Sequence, residues 1–294
     1  MSSTSYPAFS SPESEARYRT AYDAVLRAWP MDYQELDVPT RYGATHVIAS
    51  GPESAPALVL LPSFAGSATL WRPNVAALSA VYRTYAVDTP GQAGKSVQTR
   101  AFANAQDLAD WLSDLLDGLG VARASLVGAS YGGFLALNQA LRAPERVRRV
   151  ALISPAGVFV GGLLWAFLRA RIARWLRGQR RRGIADLLGP DATLHVDDEA
   201  WAALMAVVMS DSARPNLIAP PVFDTAELAT IRAPTLLLIG ERETLYPARK
   251  TLRRALARMP GLSGEVIPGA HHLAALAKPD EVNRLLLSFL QASG

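Results

Sequence analysis

From Ala57 to the end of the chain, short runs of aliphatic and β-branched residues alternate with stretches at helical spacing. This alternation constrains the fold more than any other feature. A strand that is apolar on both faces must be covered on both faces, and helices crossing between parallel strands do that. The runs Ala57–Leu61, Arg83–Val87, Ala124–Ala129, Val150–Ser154, Thr235–Ile239 and Gly264–Ile267 read as such strands, preceded by Glu35–Val38 and Thr45–Ser50. Helical spacing marks Ser14–Trp29, Ala103–Leu119, Tyr131–Ala143, Pro247–Met259 and Pro279–Gln291. The fold class expected is α/β: a mostly parallel, doubly wound sheet with an antiparallel start.

One segment breaks the rhythm. Residues 157–225 are helical in composition and hold no convincing strand, so they are expected to form a cap inserted into a core made of residues 31–156 and 226–294. Residues 1–30 are expected to be a tail and an outer helix, the Ser- and Pro-rich first 13 residues being mobile. The insertion carries seven arginines from Arg169 to Arg182, read first as a solvated helix face whose stems cover apolar residues. A charged lip over a pocket is the second reading. Trp165, Phe167, Trp175 and Trp201 give the cap an aromatic content that packing alone can explain.

Composition removes several classes. With 294 residues, half of them apolar, the chain can build one large core. It has no cysteine, which excludes disulfides, thiolate metal sites and a cysteine nucleophile. A net charge of +4 does not indicate a nucleic-acid partner without a basic reading element. The N-terminal residues lack a basic segment followed by an apolar one, so a cytoplasmic location is expected. No charge occurs from Val150 to Leu168, but Pro155 and three glycines interrupt the run, so a strand, a turn and a new helix are expected rather than a membrane span.

The chemistry concentrates in three places. Gly128-Ala129-Ser130-Tyr131-Gly132 follows one strand directly and opens a helix. A serine at so tight a turn is pushed out of the packed surface, and glycines two places to either side remove side chains that would collide. A hydroxyl needs a base, and four histidines exist. His46 lies in an early strand and His195 in the insertion, whereas His271 and His272 lie in the loop after the last strand. The base in turn needs a carboxylate, and the loop after Thr235–Ile239 offers Glu241 and Glu243. The chain order serine, acid, histidine is the one such sheets use. A near P-loop, Thr89 to Ser96, has Thr89 where the motif requires glycine and lacks a helix directly after it, so nucleotide binding is not expected.

On GASYGG, ERETLYP, PGAHHLAALAKPDEV and LLPSFAGSATLW, the chain from about Leu58 onward resembles the α/β-hydrolase superfamily, its serine esterase branch in particular. The resemblance implies the α/β-hydrolase fold, with Ser130 as nucleophile, His272 rather than His271 as base, and Glu243 rather than Glu241 as acid. It also implies an oxyanion hole from the N–H groups of Phe64 and Tyr131. Pro62-Ser63 stands where the family has His-Gly, His271 where it has Gly, and Glu243 where it usually has Asp. The reaction implied is ester hydrolysis of a small, hydrophobic substrate, with no cofactor and no metal. Lactone, amide or carbon–carbon cleavage by the same three groups, and a non-catalytic binding protein on the same fold, remain as alternatives.

Overall fold

The computed structural model describes residues 6–160, 199–211 and 218–292. Nine strands among them form one sheet. β1 (Tyr33–Thr40) and β2 (Gly43–Ser50) make an antiparallel hairpin, and β2 lies antiparallel to β4 (Arg83–Val87). Beyond β4 come β3 (Ala57–Leu61), β6 (Ala124–Ala129), β7 (Val147–Ile153), β8 (Thr235–Gly240) and β9 (Leu262–Ile267), every pair parallel. The two-residue β5 (Val97–Gln98) pairs with β2. The expected antiparallel start and parallel body are both present.

Alternating side chains of the central strands feed two separate cores. Val59, Leu61, Leu126, Leu237 and Ile239 face one core, closed by α3 (Ala105–Gly118) and α4 (Tyr131–Arg142). Leu58, Leu60, Val127, Leu236 and Leu238 face the other, closed by α1 (Pro12–Arg27), α2 (Arg72–Ser79) and α9 (Pro279–Gln291). Each helix starts or packs for an identifiable reason. Asn104 accepts the N–H groups of Gln106 and Asp107 at the head of α3. Asn74 Nδ2 of α2 donates to Asn283 Oδ1 of α9 at 2.9 Å, tying the two helices together.

The N-terminal segment departs from expectation. From Tyr6 it is tied down rather than mobile: the Tyr6 N–H donates to Gln98, and Phe9, 5 % exposed, lies 4.6 Å from the Tyr18 ring. Ser11 then caps α1. α5 (Glu199–Asp211), the described helix of the insertion, packs on α1 and buries Trp201, Leu204 and Val208 in the core that holds Tyr18 and Tyr22. Arg17 and Asp211 close that contact at 2.6 Å. The two ends of the insertion meet where the Phe223 N–H donates to the Val158 carbonyl. Trp165, Phe167, Trp175, His195 and the Arg169–Arg182 cluster lie outside the described residues.

The remaining α-helices among the described residues are α6 (Thr225–Thr230), α7 (Ala248–Arg258) and α8 (Ala274–Ala277). Of these, α6 and α8, like α2 and β5, were not expected from sequence. Among the described residues no helix is long and apolar enough to cross a membrane.

If α1 is part of the core, truncating its buried face must cost as much as truncating the sheet. Leu26, 2 % exposed, is the probe. Leu26→Ala is expected to lose about 2–5 kcal/mol in urea unfolding, and the exposed neighbour Arg27→Ala no more than about 0.5 kcal/mol. Equal, small losses for both would show α1 to be an appendage.

Candidate active site

Ser130 occupies the turn between β6 and α4 with φ +50° and ψ −109°, a left-handed conformation that is costly for any residue with a side chain. Two sets of contacts hold it. Its N–H donates to the Ile153 carbonyl at 2.9 Å, and its carbonyl accepts from Ala156 at 2.9 Å, so the end of β7 and the loop after it grip the turn from both sides. The flanking glycines are required by space: a Cβ on Gly128 would lie 2.1 Å from the Gly132 carbonyl oxygen, and one on Gly132 would lie 2.1 Å from that of Leu61. The second approach brings the start of α4 against the end of β3, where the Pro62–Ser67 loop begins.

The His272 ring spans the gap between this turn and β8. Its Nε2 lies 2.8 Å from Ser130 Oγ, and its Nδ1 lies 2.7 Å from Glu243 Oε2. The imidazole is 5 % exposed and the Glu243 carboxylate fully enclosed, so both bonds act where water screens little. With Nδ1 donating to the carboxylate, Nε2 is left as the acceptor facing the serine hydroxyl. Glu243 Oε1 accepts the Leu245 N–H at 2.9 Å. The extra methylene that distinguishes it from Asp is absorbed in this fold-back onto its own loop.

Glu241, the other carboxylate of that loop, is used differently. It is exposed and accepts the Gly269 N–H at 3.0 Å and Arg249 at 3.3 Å. The Gly269 amide first, and Arg249 after it, hold its carboxyl below the usual range. It therefore latches the loop carrying His272. The Arg242 N–H does the same by donating to Ala270. His271 is buried beside His272, its carbonyl where a Cβ on Gly240 would lie 2.2 Å away.

Of the expected oxyanion donors, Phe64 lies in the loop after β3 and Tyr131 is the first residue of α4. Among the described residues, neither the Phe64 nor the Tyr131 N–H donates to a protein acceptor. Phe64 lies in a tight turn closed by the Gly66 N–H on the Ser63 carbonyl at 3.0 Å, and Ala65 within it has φ +59°. Behind Tyr131, its ring meets Phe134 at 5.5 Å, and Phe134 meets Phe223 at 6.4 Å, giving the start of α4 an apolar backing. The Tyr131 hydroxyl donates to the Ile218 carbonyl in the insertion, and burial pushes its pKa up.

The loop resembling a P-loop turns its amides inward. The Asp88 carboxylate, fully buried, accepts the Lys95 N–H at 2.7 Å, the Ala68 N–H at 2.6 Å and the Tyr22 hydroxyl at 3.3 Å. Burial raises its pKa; the nearby His46 ring and these donors oppose the rise. The Lys95 ammonium is taken by Asp23 and Glu35, each at 2.6 Å. His46 lies 2.9 Å from Asp37 and 3.1 Å from Glu35, in the same network. Sequence reading marked the loop but not this role, since an acid buried among backbone donors leaves no periodic trace. Among the described residues no three His, Asp or Glu side chains converge as a metal site.

A model of the alpha/beta hydrolase family matches residues 58–285. The carboxylesterase YbfK of Bacillus subtilis (strain 168) is 38 % identical over 285 residues, covering 96 % of each chain. The crystal structure of that carboxylesterase, CesB (YbfK), superposes with a TM-score of 0.85 at 37 % identity, over 96 % of this chain and 100 % of the other. The naproxen esterase (carboxylesterase NP) of Bacillus subtilis gives 0.84 at 35 %, over 96 % and 99 %. With a doubly wound sheet, a serine on the turn after β6 and relatives that match along nearly its whole length, the chain belongs to the alpha/beta hydrolase family.

Proposed function

We propose that the protein hydrolyses carboxylic esters of small, hydrophobic substrates by acyl transfer through Ser130, His272 and Glu243. The observation that carries this reading is the unbroken chain of two short hydrogen bonds from Ser130 Oγ through the imidazole to Glu243. In the first step His272 Nε2 takes the hydroxyl proton as Oγ attacks the ester carbonyl, and Glu243 stabilises the imidazolium that forms. The N–H groups of Phe64 and Tyr131 donate to the developing oxyanion, worth about 3 kcal/mol per donor in comparable sites. His272 then gives its proton to the departing alcohol. Water, deprotonated by the same nitrogen, releases the acid from Ser130. All the charge movement is met by side chains and backbone amides, so the scheme needs no metal or organic cofactor.

The two Bacillus relatives, a carboxylesterase and a naproxen esterase, favour an ester over the other bonds the same groups could cleave. The aromatic backing of Tyr131 and the 46 % exposure of Phe64 favour an apolar acyl or alcohol group. In this reading residues 157–225 are the cap bounding the substrate space. The bond from Tyr131 to Ile218 and the junction of Val158 with Phe223 support that division.

Hydrolysis of p-nitrophenyl butyrate tests the proposal. Ser130→Ala should lower kcat/KM by at least about 10³-fold, with loss of the Ser130 adduct formed by a fluorophosphonate. A wild type that turns over no ester and takes up no fluorophosphonate would instead favour a binding protein. The two carboxylates should separate cleanly. Glu243→Gln presents an amide to Nδ1 and should cost about 10²–10⁴-fold in kcat, whereas Glu241→Gln keeps an acceptor for Gly269 and should stay within about threefold. A larger drop at 241 would overturn the assignment of the acid.

A further inference from the structure

We infer that Gln92 is a positioning residue that sets the oxyanion-binding turn, acting through the backbone of Ala65. The inference rests on the acyl-transfer reading above and extends it to a residue that contributes no atom to the reaction.

The turn Ser63-Phe64-Ala65-Gly66 is not at rest by itself. Ala65 has φ +59°, where glycine is the usual residue and an alanine methyl meets its own backbone. An alanine free to relax would move to negative φ, rotating the Phe64–Ala65 peptide and carrying Phe64 with it. One side chain opposes that rotation. Gln92 Oε1 accepts the Ala65 N–H at 3.1 Å, which fixes the direction of the peptide.

The lever that applies this bond is itself fixed. Gln92 is 2 % exposed, and its N–H donates to the Thr89 carbonyl at 3.2 Å, closing a turn that includes Gly91 at φ +79°. Asp88, four residues earlier, grips the Ala68 N–H at the far end of the same segment. The Pro62–Ala68 loop is therefore held at two points, at Ala65 directly after Phe64 and at Ala68 beyond it.

Packing does not explain an amide at 92. Its Nε2 is buried with no acceptor among the described residues, an arrangement that destabilises a fold. A methionine of similar volume would fill the space without an orphaned donor. The single bond to Ala65 is what the amide does there and a thioether does not.

The expected behaviour separates positioning from both direct contact and structural support. Gln92→Met should lower kcat for p-nitrophenyl butyrate about 10- to 100-fold, since a donor displaced by about an ångström can forfeit that much. The rate of Ser130 phosphonylation by a fluorophosphonate should fall in parallel. KM should stay within about twofold, and Tm within about 3 °C, because only one part-buried hydrogen bond is lost. The acid limb of the pH–rate profile, set by the base, should not move. Gln92→Glu keeps the oxygen acceptor but loses the amide donor, and should recover most of the loss.

Wild-type kcat in Gln92→Met, with Ser130→Ala inactive, overturns the positioning role and leaves the triad standing. A fall in Gln92→Glu equal to that in Gln92→Met overturns it also, in favour of a direct contact from Nε2. A fall in Tm and a rise in KM with kcat unchanged would assign Gln92 to packing alone. If Ser130→Ala itself retains activity, the acyl-transfer reading fails and takes this inference with it.

Discussion

The left-handed turn at Ser130 is the constraint on which the rest of the site depends. A conformation of this kind costs about 1–3 kcal/mol and persists only where its surroundings over-determine it. Here the over-determination is backbone on backbone. Ile153 of β7 accepts from the turned residue and Ala156 just beyond β7 donates to it, Gly132 lies against the Leu61 carbonyl, and Gly128 lies against Gly132. Neither glycine tolerates a Cβ, so the packing that holds the strained serine also brings the head of α4 against the loop after β3. Ser130, Tyr131 and the start of the Pro62–Ser67 loop are set by one packing event.

The other groups arrive at the same edge because the parallel strands all end there. β8 delivers Glu243, and the loop after β9 delivers His272, so two connections must agree to within hydrogen-bond tolerance. They are cross-braced. Glu241 holds Gly269 and Arg242 holds Ala270, so the loop carrying Glu243 and the loop carrying His272 form one body. A carboxylate one atom longer than aspartate is accommodated in that body without lengthening the chain that reaches Nδ1.

Much of this was legible in the letters, for a specific reason. Strands buried on both faces must be apolar at every position, so Leu58–Leu61 and Leu236–Ile239 stand out, and Gly-x-Ser-x-Gly between a strand and a helix has a steric meaning of its own. What stayed hidden lacks such a signature. α2 is eight residues with proline near its start, and β5 is two. The docked tail reads as a Ser- and Pro-rich terminus because its one anchoring ring, Phe9, is a single apolar residue without periodicity. Glu241 and Glu243, two residues apart in an irregular loop, differ only in where each side chain lands, which residue spacing does not encode. Gln92, in a loop of glycine and proline, carries no pattern at all.

The buried Asp88 network, directly after β4, gives the site a second boundary at the same edge of the sheet. Its carboxylate joins the Ala68 and Lys95 amides to the Tyr22 hydroxyl, so α1, outside the parallel core, is bonded to the segment that also carries Phe64. Gly94 makes the approach possible, since a Cβ there would lie 2.9 Å from the Asp88 carboxyl. Burial disfavours the charge, and the converging donors with His46 oppose that penalty. An isolated buried carboxylate would take up a proton, and protonation would set an O–H against an N–H. The geometry of the Pro62–Ala68 loop thus depends on the Asp88 carboxylate that accepts its Ala68 N–H. For that reason α1, Asp88 and the loop carrying Phe64 form one structural unit.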